Sequence, residues 1–396
     1  MDPVLATIGI IAAIIGIGAG VIQIVDYIER KRQQNTTNHN KSQSPGTKTT
    51  TNKVLRSNNR IFTDKTSVLI SNNLSSNRVA SWMQAAEIDS LAVDDCVMIL
   101  GSDNFQGWSS TEVNVSIDKT HVQIPPDLEE VIRQYKNQAM ETKHDGLSVR
   151  VTSLTPWFKD SPSLHVTLSP VQFSAHFTIS SFLDKAVIKT AKGTMITIRE
   201  RYGAMALLYS TFEHPSIPTS VSIQIAVISN DSQLLVMRRS NHVAFYPNAW
   251  TISIEEGMQS DDTDFVEAAL RGIREELGSS LKVNREHIKV LSFCVEYPTL
   301  SFDVVILAQI QNSIDEIKQS WRLTAPDKHE LSQSHTVPVN LQELTRLFVD
   351  KRQWHPSARM RIIQILFSIY GVEETLASIE EARVNQGRKQ KEDPLR

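Results

Sequence analysis

The chain has 396 residues, two cysteines (Cys96 and Cys294) and a formal net charge of −3. Two cysteines build no disulfide framework, which fits a reducing compartment. A nearly balanced charge leaves no basic stripe, so nucleic acid is not expected as a partner, and the length is enough for two domains.

From Val4 to Ile22 no charged residue occurs, and only Gln23 interrupts the run before Asp26. About 20 apolar residues suffice to cross a bilayer as a helix. Arg30, Lys31 and Arg32 follow the run, whereas a secretory signal peptide carries its positive charge in front. The expectation is a single-pass transmembrane helix and basic flank over residues 1–32, in contact with lipid through residues 4–25. The positive-inside rule then places the bulk of the chain in the cytoplasm. A buried core helix is the alternative, and the polar segment directly after the run argues against it. Ala12, Gly16 and Gly20 recur every four residues, a spacing that lets membrane helices approach closely, so a homo-oligomer is an expected assembly.

Residues 33–58 are nearly free of apolar side chains and read as a disordered linker. Residues 60–215 read as a mixed α+β domain. Short strands are expected at Val68–Ile70, Cys96–Leu100, Val113–Ile117, Leu147–Val151 and Leu164–Leu168, and an amphipathic helix over Asp127–Lys143. His144, His165 and His176 have no zinc-site spacing and read as polar or packed residues.

Residues 218–372 change character. Ser220–Ile228 and Leu234–Arg239 form a hairpin around a polar turn, and Ile288–Val295 and Ser301–Ile310 are two further strands. Helical spacing marks Asn340–Val349 and Ser357–Tyr370. Residues 373–396 read as a charged tail, loose from Gly387 onward.

Between the strands, Asp264 stands where it would cap a helix, with Glu267 three residues on, and Gly278 where a glycine would end it. Residues three and four apart share a helix face, so positions 272, 275 and 276 are expected to project side by side. Gly257, Arg271, Ile273, Glu275, Glu276 and Gly278 resemble the Nudix box, G-x5-E-x7-R-E-U-x-E-E-x-G-U with U a bulky aliphatic. The departures are Thr263 at the first Glu, Gly272 at the Glu after Arg, and Ser279 at the last aliphatic.

The resemblance implies an α+β architecture in which a Nudix α/β/α sandwich follows the mixed α+β domain and the transmembrane helix, with Ser357–Tyr370 covering the sheet face opposite the helix capped by Asp264. It also implies Mg²⁺ or Mn²⁺ held by Glu275, Glu276 and the Gly257 backbone against a substrate diphosphate, with Arg271 orienting the glutamates. Arg238 and Arg239 end the second hairpin strand, where basic residues of such folds contact phosphate or base; guanidinium forks suit phosphate oxygens. The implied function is metal-dependent hydrolysis of a nucleoside diphosphate linked to another moiety, as in nucleotide-sugars or dinucleotides. The alternative is a catalytically impaired nucleotide sensor, resembling antiphage effectors, whose ligand drives clustering of the membrane helices. If the site works, the missing acid must come from elsewhere: Asp261, Asp262, Asp264 and Glu267 lie nearby, Glu256, Glu296 and Asp303 are further candidates, and the sequence leaves that choice open.

Overall fold

Strands rich in Val, Ile and Leu carry most of this architecture. The structure is a computed structural model and describes residues 68–70, 76–85, 90–118, 124–141, 145–156, 164–207 and 217–392. The expected membrane span and linker lie outside these residues. Among the described residues no helix is long and apolar enough to cross a membrane.

In chain order the first half gives β1 (Val68–Ile70), α1 (Ser76–Ala85), β2 (Leu91–Val93), β3 (Cys96–Gly101), β4 (Val113–Ile117), α2 (Pro126–Ala139), β5 (Leu147–Pro156), β6 (Leu164–Gln172), α3 (Phe173–Phe182), β7 (Ala186–Lys189), β8 (Met195–Thr197) and α4 (Ile198–Tyr202). The second half gives β9 (Val221–Ile228), β10 (Gln233–Arg239), β11 (Trp250–Ile252), β12 (Ile254–Gly257), α5 (Phe265–Gly272), β13 (Ile288–Glu296), β14 (Phe302–Gln309), α6 (Ile314–Thr324), β15 (Leu331–Pro338), α7 (Leu341–Val349), α8 (Ala358–Tyr370) and α9 (Val372–Glu392).

Ten strands share one mixed sheet, in the path β1-β2-β3-β13-β14-β9-β10-β11, with β12 paired to β9 and β15 to β10. β14 runs parallel to β9 over its whole length, from Phe302 opposite Val221 to Gln309 opposite Ile228. These central strands are buried along nearly their full length, as strands covered on both faces should be. One apolar cluster packs under α5 and α6 and extends into the first half of the chain. A second packs under α7, α8 and α9. α8 thus covers the face opposite α5, as the resemblance implies.

One sheet crosses the boundary expected near residue 216. β3 pairs antiparallel with β13, Cys96 opposite Glu296 and Leu100 opposite Phe293, which covers what would be an open strand edge. β4, β6 and β5 form a separate three-stranded sheet, and the Ser148 hydroxyl on β5 donates to the Met258 carbonyl at 3.0 Å.

The charged tail is helical over Val372–Glu392, so its expected loose part from Gly387 continues as helix to Glu392. Leu376, Ile379 and Ala382 make a short apolar stripe against the α7–α8 core, and the Thr345 and Ser378 hydroxyls meet at 3.1 Å. Charge elsewhere on the helix hid that stripe from a composition-based reading.

Candidate active site

Ser253 sets up the site by separating β11 from β12. Its backbone is left-handed, φ +60°, and its hydroxyl accepts from Val227 N–H and donates to the Leu235 carbonyl, each at 2.8 Å. The kink is thereby pinned to β9 and β10, and β12 turns onto β9 with Glu255 opposite Gln224 and Glu256 opposite Ile223. Neighbouring strand residues face opposite sides. Glu255 therefore enters the α8 side of the sheet and Glu256 the α5 side.

Asp264 caps α5 as expected, accepting from Glu267 N–H at 2.8 Å. Glu267 instead turns outward to Arg274 and Arg285, at 3.4 and 3.0 Å. The end of the helix departs from expectation. α5 stops at Gly272, and Ile273–Leu277 form a single π turn, a widening that recurs at functional sites. Gly278 closes it, donating to the Ile273 and Arg274 carbonyls at 3.1 Å. Its φ is +110°, and a Cβ there would lie 2.2 Å from Ser320 Oγ on α6, so both conformation and contact require glycine. The wider turn separates two acids expected side by side. Glu276 is turned inward, 3% exposed, while the Glu275 side chain stays on the rim at 36%.

Arg271 ties the loop after β12 to this turn. Nε and Nη2 grip Asp262 at 3.0 and 2.8 Å, and Nη2 also donates to the Gly257 carbonyl at 2.7 Å. Nη1 pairs with Glu256 Oε1 at 2.8 Å and Glu275 Oε2 at 3.2 Å. Burial opposes its charge, but Asp262 and Glu256 outweigh that and keep it cationic. Of the two glutamates the resemblance assigns to it, Arg271 pairs with Glu275, and its other acid partners are Glu256 and Asp262. Asp262 takes the salt bridge one residue ahead of Thr263. At Gly257 an added Cβ would meet nothing within 4 Å, so contact does not demand glycine there.

Glu256 lies against Gly272. A Cβ built on Gly272 would stand 2.8 Å from Glu256 Cβ, 3.1 Å from its Cγ and 3.4 Å from its Oε2. Burial, with the charges of Glu275 and Glu330, outweighs Arg271 and raises the Glu256 carboxyl to about 7. The Glu276 carboxyl is also pushed well up, first by burial and then by the negative charge of Glu256. Glu276 Oε1 is buried without a hydrogen-bond partner. Glu296 and Asp303 share strand parity with Cys294 and Val305 and so fall on the α8 face. Asp262, Asp264 and Glu267 are engaged with Arg271, the helix cap, Arg274 and Arg285, and of the strand acids Glu256, Glu296 and Asp303, Glu256 alone faces Gly272.

Arg238 and Arg239 part ways, as successive strand residues must. Arg239 pairs with Glu255 and donates from Nε to the Phe245 carbonyl at 3.2 Å. Arg238 donates from Nε to the Asn248 carbonyl at 3.1 Å. Glu255 heads a buried network missed by sequence reasoning. Arg361 Nη2 reaches it at 3.0 Å, His355 Nε2 at 3.2 Å and the Thr251 hydroxyl at 2.6 Å. Burial works against its ionisation, yet the surrounding cations hold its pKa down to about 2. Burial also keeps His355 neutral, at about 3, so Arg239 and Arg361 are the charges that compensate Glu255. The available signal was Arg361 itself, a cation inside the apolar stripe of α8.

Among the described residues no group of three or more His, Cys, Asp or Glu side chains is arranged to hold a metal ion. Mg²⁺ commonly takes only one or two carboxylates and completes its shell with substrate phosphates and water. Glu276, with its unpartnered oxygen, and Glu256 beside it fit that smaller donor set.

The chain matches no family model and no curated protein. Among solved structures it is similar over part of its length to a protein from Deinococcus radiodurans, at 18% identity over 37% of this chain and 82% of that one, TM-score 0.28. It is also similar to a Nudix hydrolase from Alicyclobacillus acidocaldarius, at 13% identity over 40% and 96%, TM-score 0.28. A third is the Nudix domain of Shewanella oneidensis NrtR in complex with ADP ribose, at 14% identity over 37% and 85%, TM-score 0.26. The functional reading rests on the side chains above rather than on these partial overlaps.

Proposed function

We propose that this chain is a membrane-tethered hydrolase of the Nudix type, cleaving a nucleoside diphosphate joined to another moiety with Mg²⁺ or Mn²⁺. The observation that carries the reading is Glu276, a buried carboxylate with an unpartnered oxygen, set at a π turn beside Glu256. A carboxylate buried without a partner costs several kcal/mol, and such a group is a functional-site candidate. The chemistry a divalent cation supplies when bound is neutralisation of phosphate charge and activation of the attacking water. The chain's own part is preorganisation. Arg271 fixes the 257–262 loop and Glu275, and Arg239 brings positive charge near Glu276. Arg238 is the residue assigned to substrate phosphate or base. The apolar run at residues 4–22, outside the described residues, supports the tether and a cytoplasmic catalytic portion.

A second reading has its own observation: Arg271 Nη1 occupies Glu256 and Glu275 together, as a site that binds a nucleotide without turning it over would allow. Ligand-driven clustering of the membrane helices would then be its output.

Incubating the full-length chain in detergent with nucleotide-sugars, dinucleotides and cyclic oligonucleotides, plus Mg²⁺ or Mn²⁺, separates the two. Product release lost in Glu276→Gln is the expected result. Retention of one nucleotide without cleavage, with a change of oligomeric state, would establish the sensor instead.

A further inference from the structure

We infer that Glu256 and Gly272 are a reciprocal exchange, in which β12 delivers across the strand–helix gap the metal-binding carboxylate that the helix itself lacks. The inference rests on the metal-dependent reading above and names the ligand set of that site as Glu256 with Glu276.

Three observations carry it. The first is steric. With a 272 Cβ only 2.8 Å from Glu256 Cβ, side chains at both positions cannot coexist. Glu256 fills the volume where a helix-borne acid would begin. This also gives a reason for a buried glycine inside a helix, which otherwise costs about 1 kcal/mol relative to alanine. The second is directional. Glu256 projects to the α5 face, whereas Glu255, Glu296 and Asp303 are on the α8 face. Arg271 holds Glu256 through Oε1, so Oε2, the oxygen 3.4 Å from the 272 Cβ position, is directed toward the helix. The third is the unpartnered Glu276 Oε1, on a residue only 3% exposed. Two acids on opposite sides of a narrow gap are a pair of hard oxygen donors for Mg²⁺ or Mn²⁺.

The competing account is that Glu256 only steadies Arg271, and Asp262, the other anchor of that guanidinium, separates the two. Mn²⁺ binding to the full-length chain in detergent is titrated by electron paramagnetic resonance for wild type, Glu256→Gln, Asp262→Asn and the double swap Glu256→Gly with Gly272→Glu. Circular dichroism melts confirm folding. Glu256→Gln keeps the shape that packs on Gly272, so it should fold, and it should weaken Mn²⁺ at least about tenfold, the effect of roughly 1.4 kcal/mol. Asp262→Asn should weaken it less. The double swap should recover most of the wild-type affinity, because the acid returns to the helix as its clash partner leaves. Equal losses in Glu256→Gln and Asp262→Asn would overturn the inference, as would wild-type affinity in Glu256→Gln; both leave the metal-dependent reading standing. A wild-type chain that binds no Mn²⁺ removes that reading and the inference together.

Discussion

Glu255 and Glu256 are neighbours on one strand, share a side-chain type, and are both largely buried, yet their electrostatics are opposite. Glu255 has Arg239, Arg361, His355 and Thr251 around it and titrates near 2. Glu256 has one guanidinium, shared with Asp262 and Glu275, and titrates near 7. A fully compensated carboxylate is a structural element. An under-compensated one is what the proposed metal site would draw on. Strand alternation alone divides these two environments.

The most forceful way to break the comparison is to strip the compensation from Glu255. Arg361 is completely buried and spans Glu255, Thr251 and the Ile252 and Ile254 carbonyls. Arg361→Leu would leave a buried charge short of its partner, and removing one member of such a pair costs about 3–5 kcal/mol. Chemical denaturation should show a loss of that order. Glu276→Gln, by contrast, replaces a buried acid that burial and the charge of Glu256 already keep protonated, and should leave the metal-free protein about as stable while abolishing Mn²⁺ binding. A large destabilisation by Glu276→Gln would place Glu276 with the structural carboxylates.

Gly272 gives a smaller effect of unusual sign. Exchanging a helix-interior glycine for alanine ordinarily gains about 1 kcal/mol. Here the new methyl would meet the first side-chain carbon of Glu256, an atom that cannot swing away. Gly272→Ala should therefore destabilise, by about 1–3 kcal/mol as overpacking does. In a Glu256→Gly background the same change should revert to a gain. A double-mutant cycle in urea measures that coupling, and additivity would mean the two positions do not compete for space.

How much of this was legible in the sequence follows from the same residues. Spacing sufficed for β9, β10, β13 and β14, the Asp264 cap and the terminating role of Gly278, because each depends on local periodicity or backbone conformation; β15 at Leu331–Pro338 was not expected. Spacing also brought Arg271, Glu275 and Glu276 into one neighbourhood. The π turn was not legible, since nothing in Ile273–Leu277 distinguishes it from an α-helical turn; contact with Ser320 and Thr324 on α6, some forty residues downstream, accompanies it. The pairing of β3 with β13 joins segments nearly two hundred residues apart, and no local signal carries that. Glu256 was visible as an acid beside Gly257, but singling it out over Glu296 and Asp303 required knowing which face each strand residue takes. Asp262 was visible as one of several acids near the box, but its pairing with Arg271 was not, because the family pattern looks one position later.

The finest probe is pH. Glu256 and Glu276 hold protons in the folded state that the unfolded chain has released by about pH 5, and the raised Glu296 and Asp303 act in the same direction. The native state then binds more protons than the unfolded one, so stability must fall as pH rises, by up to about 1.4 kcal/mol per unit for each group still titrating. His355 and His176, depressed to about 3 and 4, have the opposite sign, but they lose stability only below about pH 6.5, where the unfolded imidazole charges. Melting temperature without metal should therefore decline between pH 6.5 and 8. Glu256→Gln should remove part of that slope, because its amide does not titrate. Saturating Mn²⁺ should flatten the wild-type slope, because a cation takes the deprotonated carboxylate and binds more tightly as pH rises. If Mn²⁺ shifts the whole melting curve upward without changing its slope, binding releases no proton from Glu256 or Glu276, and the cation sits elsewhere.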